Sequence, residues 1–109
     1  MLIDFSAVSE EIVVGARGGE GEFRRRVVDT GDNRILMGRL APGASLGYHS
    51  HDEDSETVYI LSGTGRSLCD GVYEPLKAGD SQHCAKGHSH NMENTGDEDL
   101  VFFAVIPRQ

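Results

Sequence analysis

The sequence is divided into short stretches of strand-forming residues, and turn residues separate them at intervals of about 8–12 positions. This spacing is typical of all-β sandwiches and barrels, and no stretch has the periodicity of a helix of ordinary length. Asp70-Gly71 predicts a two-residue hairpin, because a type I′ turn requires positive φ at both central positions. Strands are predicted over Phe23–Asp29, Ile35–Leu40, Ser45–Ser50, Glu56–Ser62, Arg66–Cys69, Val72–Leu76, Ser81–Cys84, His90–Asn94 and Leu100–Ile106.

Length and charge restrict the class of protein. The 109 residues suffice for one domain with a single core. The net charge of −8 would repel nucleic acid and anionic membranes. No apolar run approaches the roughly 20 residues that span a bilayer, and Asp4 stands where a signal peptide would carry positive charge. We therefore expect a cytoplasmic protein, with Cys69 and Cys84 as free thiols.

The N-terminal 22 residues are the least patterned part of the chain. We predict an irregular segment or an edge strand over 1–22, with packing on a partner subunit as one alternative, and a β domain over 23–109. The glycine-rich stretch 15–22 lacks the preceding strand, the following helix and the lysine of a phosphate-binding loop. It is therefore expected to be a flexible connector.

The last predicted strand, Leu100–Ile106, is apolar at every position, which predicts that both of its faces are buried. One face would meet the interior and the other a second layer. That layer could come from a second subunit, which predicts a homodimer, or from the chain's own N-terminal segment.

Histidines and a glutamate form the chemically most informative pattern. His49 and His51 point to the same face of a strand because side chains alternate with a period of two. Glu56 opens the next strand beyond an acidic turn, and His88 or His90 would supply a third imidazole. Each histidine alone is more often a surface or hydrogen-bonded residue. Together, three imidazoles and one carboxylate suit Zn, Fe, Ni, Mn or Cu with open coordination positions.

These residues lie within a pattern that resembles the two sequence motifs of the cupin superfamily. The first motif is matched at every fixed position by Gly43, five residues, His49-Ser50-His51, four residues, Glu56, six residues and Gly63. The second is matched by Gly79, five residues, Ala85-Lys86-Gly87, two residues, His90, three residues and Asn94, with Ala85 in place of the usual proline.

The resemblance implies a double-stranded β-helix, the jelly-roll barrel of cupins, with one divalent transition-metal ion. Carried over to this chain, it implies that the metal ligands are His49, His51, Glu56 and His90. His88 falls at a variable position of the second motif and is expected to be a neighbour of the site. The motif glycines are assigned to turns.

Strand alternation predicts which side chains surround this site. An apolar wall is predicted from Met37, Val58, Ile60, Met92, Phe102 and Phe103, which are core residues first and ligand contacts second. Gln82 and His83 are the candidate catalytic residues, as an acid, a base or an orienting group, although an exposed strand face explains their polarity as well. The triplet Arg24-Arg25-Arg26 could hold an anionic substrate or an acidic partner, but a solvated face is the more common arrangement.

The cupin resemblance implies a site and leaves the reaction open. The first hypothesis is a metal-dependent enzyme acting on a small molecule, with isomerase, lyase or dioxygenase chemistry and a carbohydrate or sugar acid among the candidate substrates. The alternative is a non-catalytic sensor or binding protein for a metabolite or for the metal itself. A purely structural ion is disfavoured because the mixed histidine and glutamate set leaves coordination positions open.

Overall fold

The computed structural model describes residues 1–109 as ten antiparallel strands in two sheets. The strands are β1 Glu11–Val14, β2 Glu22–Asp29, β3 Asn33–Leu40, β4 Ser45–Ser50, β5 Glu56–Ser62, β6 Thr64–Cys69, β7 Val72–Lys77, β8 Ser81–Cys84, β9 Ser89–Asn94 and β10 Leu100–Pro107. One sheet has the order β1-β2-β3-β10-β5-β8 and the other the order β4-β9-β6-β7. The predicted all-β jelly roll is confirmed. No strand pairing joins the two sheets, so the barrel is an open one.

The nine predicted strands all occur, and each boundary lies within two residues of its predicted position. The predicted hairpin joins β6 to β7, with φ of 48° at Asp70 and 84° at Gly71. The turn between β5 and β6 is shorter than predicted. Gly63 alone separates the two strands, with a φ of 87°, and a Cβ there would lie 2.5 Å from the carbonyl oxygen of Asp99.

The core lies between the sheets and is built on the inward face of β10. Its inward residues are Leu100, Phe102, Ala104 and Ile106, which are all buried. Phe102 stacks on Phe23 of β2, with 5.9 Å between ring centroids and an interplanar angle of 6°. The two rings fit because the residue of β3 that lies against them, Gly38, has no side chain.

The outward face of β10 is only half-buried, although the sequence predicts burial on both faces. Phe103 on this face meets the edge of Phe5 from the N-terminal segment, with the ring centroids 6.3 Å apart. The chain's own N-terminal segment thus supplies part of the second layer. On the neighbouring strand β5, Tyr59 and Leu61 remain 45% and 44% exposed.

The N-terminal segment is folded onto the sheets. β1 pairs with β2 as an edge strand, and short 3-10 turns form at Phe5–Ala7 and Ala16–Gly18. The glycine-rich stretch is therefore not the flexible connector that was expected. A Cβ on Gly47 of β4 would collide with the carbonyl of Arg17, so the turn and the strand approach as closely as glycine allows. Both helical segments have three residues, and neither is long enough to cross a membrane.

Gly38 of β3 provides a first test of the packing. A Cβ at this position would lie 2.7 Å from Phe102 and 2.8 Å from Phe23. Because overpacking a filled core is destabilising, Gly38→Ala is expected to lower the free energy of unfolding by about 1–3 kcal/mol in urea denaturation. In the double variant Gly38→Ala/Phe23→Leu, the smaller leucine leaves space for the added methyl group. The double variant should therefore lose less free energy of unfolding than the two single variants lose in sum. Additive losses would show that the ring stack does not fill the space.

Candidate metal centre

Three strands bring together the four residues that the motif singles out. His49 lies in β4, His51 directly follows that strand, Glu56 opens β5 and His90 lies in β9 opposite His49. We refer to these residues as the four-donor cluster. One donor atom from each of them lies within 4.8 Å of all the others, and His51, Glu56 and His90 are buried.

A β-bulge sets the direction of His49. The register between β4 and β9 shifts between Leu46 and His49. In a regular strand, residues three positions apart would face opposite sides, whereas both of these residues line the same interior cavity. The irregularity therefore turns the imidazole inward, which is a common use of bulges beside functional sites.

The distances within the cluster fit one metal ion. His51 Nε2 lies 3.0 Å from His90 Nε2, and these nitrogens lie 3.3 and 2.9 Å from Glu56 Oε1. Two donors bound to one ion at about 2.1 Å can be at most about 4.2 Å apart. The donor atoms of the cluster lie within 4.8 Å of one another, so the widest pair would need to move closer by at most about 0.6 Å when an ion binds. Two imidazole lone pairs in such proximity require a cation or a shared proton between them. The donor set therefore fits a divalent transition-metal ion.

Each imidazole is oriented by an acceptor at its other nitrogen. Nδ1 of His49 lies 2.7 Å from the carbonyl oxygen of Gly47, and Nδ1 of His51 lies 2.6 Å from Asp54 Oδ1. Nδ1 of His90 lies 3.2 Å from Gln82 Oε1. Because all three partners are acceptors, each ring can donate from Nδ1, which leaves the Nε2 lone pair for a metal ion at the centre of the cluster. Without an ion, Nε2 of His51 and of His90 lie where they can donate to Glu56.

The pKa shifts of Glu56 and His49 suit metal ligands, whereas a metal ion would have to displace a proton that the raised pKa of His51 favours. Burial acts to raise the pKa of Glu56, but hydrogen bonds from His51 and His90 outweigh it and lower the pKa to about 2. Burial lowers the pKa of His49. The hydrogen bond to Glu56 raises the pKa of His51 against the effect of burial, and Asp54 adds to the increase. At neutral pH the carboxylate is thus charged, as a metal ligand must be.

The two candidate catalytic residues lie on opposite faces of β8. Gln82 is buried and spans two groups, accepting from His90 and donating to Glu74 Oε1 at 2.8 Å. It is therefore placed to orient His90, one of the candidate metal ligands. His83 is exposed, and its Nδ1 lies 2.9 Å from Thr57 Oγ1 on the outer side of the sheet.

Sequence reasoning missed Asp54, which orients His51. Its position three residues after His51, in an acidic turn, was the available signal. The expected neighbour His88 lies at the surface, where its Nδ1 is 2.6 Å from Asp70 Oδ2. Both cysteines are free, and burial raises the pKa of the Cys84 thiol to about 11. Cys84 is therefore a protonated thiol at neutral pH.

A cavity of about 150 Å³ adjoins the cluster. His49, His51 and Glu56 form one side of it. The remaining walls consist of apolar side chains and three arginines, and they comprise Val13, Ala16, Arg17, Phe23, Arg25, Arg34, Leu36, Leu46, Phe102 and Ile106.

The structure distributes the expected wall residues over three places. Phe102 lines the cavity. Val58, Ile60 and Met92 are almost completely buried in the closed core. Met37 and Phe103 pair across β3 and β10 on the outer face of the sheet, away from the cavity, because each alternates with an inward neighbour.

The arginine triplet is divided by the same alternation. Arg24 and Arg26 point outward, where Glu10 lies within 3.6 and 4.0 Å of their guanidinium groups. Arg25 points into the cavity. Only the middle arginine can therefore reach a ligand beside the four-donor cluster.

Comparison with known proteins agrees with this architecture. A protein named oxalate-binding protein from Thermotoga maritima is 36% identical over 112 residues, covering 97% of this chain and 93% of that protein. The crystal structure of a predicted oxalate decarboxylase from Thermotoga maritima superimposes with a TM-score of 0.93 at 36% identity, covering 100% of both chains. The polyketide cyclase RemF from Streptomyces resistomycificus shares the fold, with a TM-score of 0.80 at 22% identity, covering 100% of this chain and 80% of that one.

The model of the cupin domain family matches residues 36–106, which include all four members of the four-donor cluster. The matched region runs from β3 to β10 and therefore contains most of both sheets. Motif, fold and sequence similarity lead to one conclusion: the chain belongs to the cupin family.

Proposed function

We propose that this cupin binds a small carboxylate anion, of the class of oxalate, through a divalent metal ion held by the four-donor cluster. The observation that carries the proposal is the cavity beside the cluster, which combines a metal-ligand set with three arginines in a small volume. A divalent ion at the cluster would supply a Lewis acid for carboxylate oxygens.

The size of the cavity favours a ligand with few atoms. Pockets for drug-sized molecules measure about 300–1,000 Å³, and this cavity measures about 150 Å³. Its walls combine apolar side chains with guanidinium groups, which suits a compact anion better than a sugar with many hydroxyl groups. The relatives from Thermotoga maritima support the same class of ligand by their names.

Catalysis is the second candidate function. The relative named a predicted oxalate decarboxylase favours it. Against it, His83 lies outside the cavity, and the titratable groups of the cavity wall are the metal-ligand candidates and arginines. Arginine remains protonated and is a poor proton donor or acceptor at neutral pH. The geometry thus supports binding more directly than turnover.

The metal site can be tested by elemental analysis of purified protein. His51→Ala removes one donor of the cluster, so metal content should fall from near one equivalent to a small fraction of that value. His83→Ala is the matched control, because it removes an exposed imidazole outside the site and should leave the content unchanged. Stoichiometric metal in His51→Ala, or equal losses in both variants, would contradict the assignment.

The ligand can be tested by calorimetric titration of metal-loaded protein with oxalate. We expect saturable binding that disappears when the metal is removed by a chelator and returns when it is added back. Glucose serves as a control that the small cavity should not bind. Following carbon dioxide and formate in the same samples separates binding from turnover. No oxalate binding by the loaded protein would contradict the proposal.

The homodimer and the cytoplasmic location remain predictions. The outer face of the six-stranded sheet carries Tyr59 and Leu61, each nearly half exposed beside the partly covered Phe103. If a second copy of the chain covers this face, Leu61→Glu should halve the mass measured by light scattering. Val72→Glu, on the edge strand β7 of the other sheet, is the control. A monomeric mass for the unmodified protein would contradict the dimer.

A further inference from the structure

Arg25 has a buried polar atom without a partner. Its Nε is inaccessible to solvent and makes no hydrogen bond. One terminal nitrogen lies 3.3 Å from Glu11 Oε2, across the β1–β2 pair. On its other side, the register partner is Gly38, which offers no side chain to the guanidinium.

The guanidinium group of Arg25 thus has one carboxylate partner, Glu11, while its Nε has none, although buried donors in folded proteins are nearly always satisfied. The Arg24 and Arg26 side chains on either side of it are paired with Glu10. Arg25 alone projects into the cavity beside the four-donor cluster. Because Nε is closed off from solvent, a ligand in the cavity would meet the terminal nitrogens of Arg25 and not Nε.

The surroundings of Arg25 reinforce the positive charge. Arg34 lines the same cavity, and its register partner Asp29 is already held by Arg108 at 2.6 Å. Arg17 also lines the cavity, from a left-handed backbone conformation with a φ of 56°, which is uncommon for a residue other than glycine.

The cavity wall therefore differs in charge from the rest of the molecule. Its lining contains three of the ten basic residues and one carboxylate, that of Glu56, in a chain whose net charge is −8, and a second carboxylate, that of Glu11, lies 3.3 Å from Arg25. A divalent ion at the cluster would add to this excess. The excess can be balanced by a ligand that carries two negative charges.

We propose that Arg25 binds the second carboxylate of a dicarboxylate ligand whose first carboxylate faces the metal cluster, and that it thereby selects dicarboxylates over monocarboxylates. The inference rests on the proposed function. A guanidinium group can donate two parallel hydrogen bonds to a carboxylate from its two terminal nitrogens, one of which here also lies 3.3 Å from Glu11 Oε2. Arg34 and Arg17 supply additional positive charge on the same wall.

Calorimetric titration of the metal-loaded protein with oxalate and with acetate tests this role. Arg25→Met should weaken oxalate binding at least tenfold, or about 1.4 kcal/mol, while acetate affinity changes by less than about twofold and metal content is unchanged. Arg25→Lys keeps the positive charge but lacks the planar guanidinium group. Its oxalate affinity should therefore lie between that of the unmodified protein and that of Arg25→Met. Arg24→Met is the matched control, because the same change is made on the opposite face of the same strand. Thermal unfolding of each variant verifies that it is folded.

The outcomes separate the inference from the function on which it rests. Unchanged oxalate affinity in Arg25→Met would overturn the role of Arg25 and leave carboxylate binding standing. Equal losses for oxalate and acetate, or an equal loss in Arg24→Met, would overturn dicarboxylate selection in favour of general charge attraction. Absence of carboxylate binding by the unmodified loaded protein would overturn the proposed function together with the inference.

Discussion

The site depends on a buried group of three imidazoles and one carboxylate whose donor atoms converge on one point. Removing such groups from water is costly unless a cation or protons balance them. His51 Nε2 and His90 Nε2 are 3.0 Å apart, a distance that two opposed lone pairs cannot hold without a positive charge between them. The packing of the two sheets maintains this convergence, because the donors come from β5 of one sheet and from the β4–β9 region of the other.

The groups behind the imidazoles extend this constraint outward. A backbone carbonyl, a carboxylate and an amide each accept a hydrogen bond from one Nδ1, so the orientation of all three rings is fixed from the protein side. The acceptor for His90 is itself held by Glu74 from a neighbouring strand. These contacts give the cluster a set geometry and a set tautomer, which are the conditions for holding one ion while leaving coordination positions open.

The cavity beside the cluster connects the metal site to a ligand class. Alternation along β2 places Arg24 and Arg26 on the outside with Glu10, and it places Arg25 among apolar walls with a donor unpaired. A small volume, an apolar lining and an excess of guanidinium groups are complementary to a compact anion. Alternation along β8 likewise places His83 beside Thr57, away from the four-donor cluster.

Most of the fold could be predicted from the sequence by itself, because turn residues and strand runs are local signals. They located nine of the ten strands and the hairpin at Asp70-Gly71, and the spaced motif identified the four donors that the fold brings together. An edge strand was one of two alternatives for residues 1–22, and the turn at Ala16–Gly18 was not predicted, because both depend on pairing with β2 and on close contact with Gly47. Only the tertiary structure decided the bulge before His49, the orienting contact of Asp54, the choice of an orienting role for Gln82, and the position of Arg25 in the cavity. Each of these depends on a bulge, a register or a neighbour distant in sequence, and a local pattern contains no information about such non-local contacts.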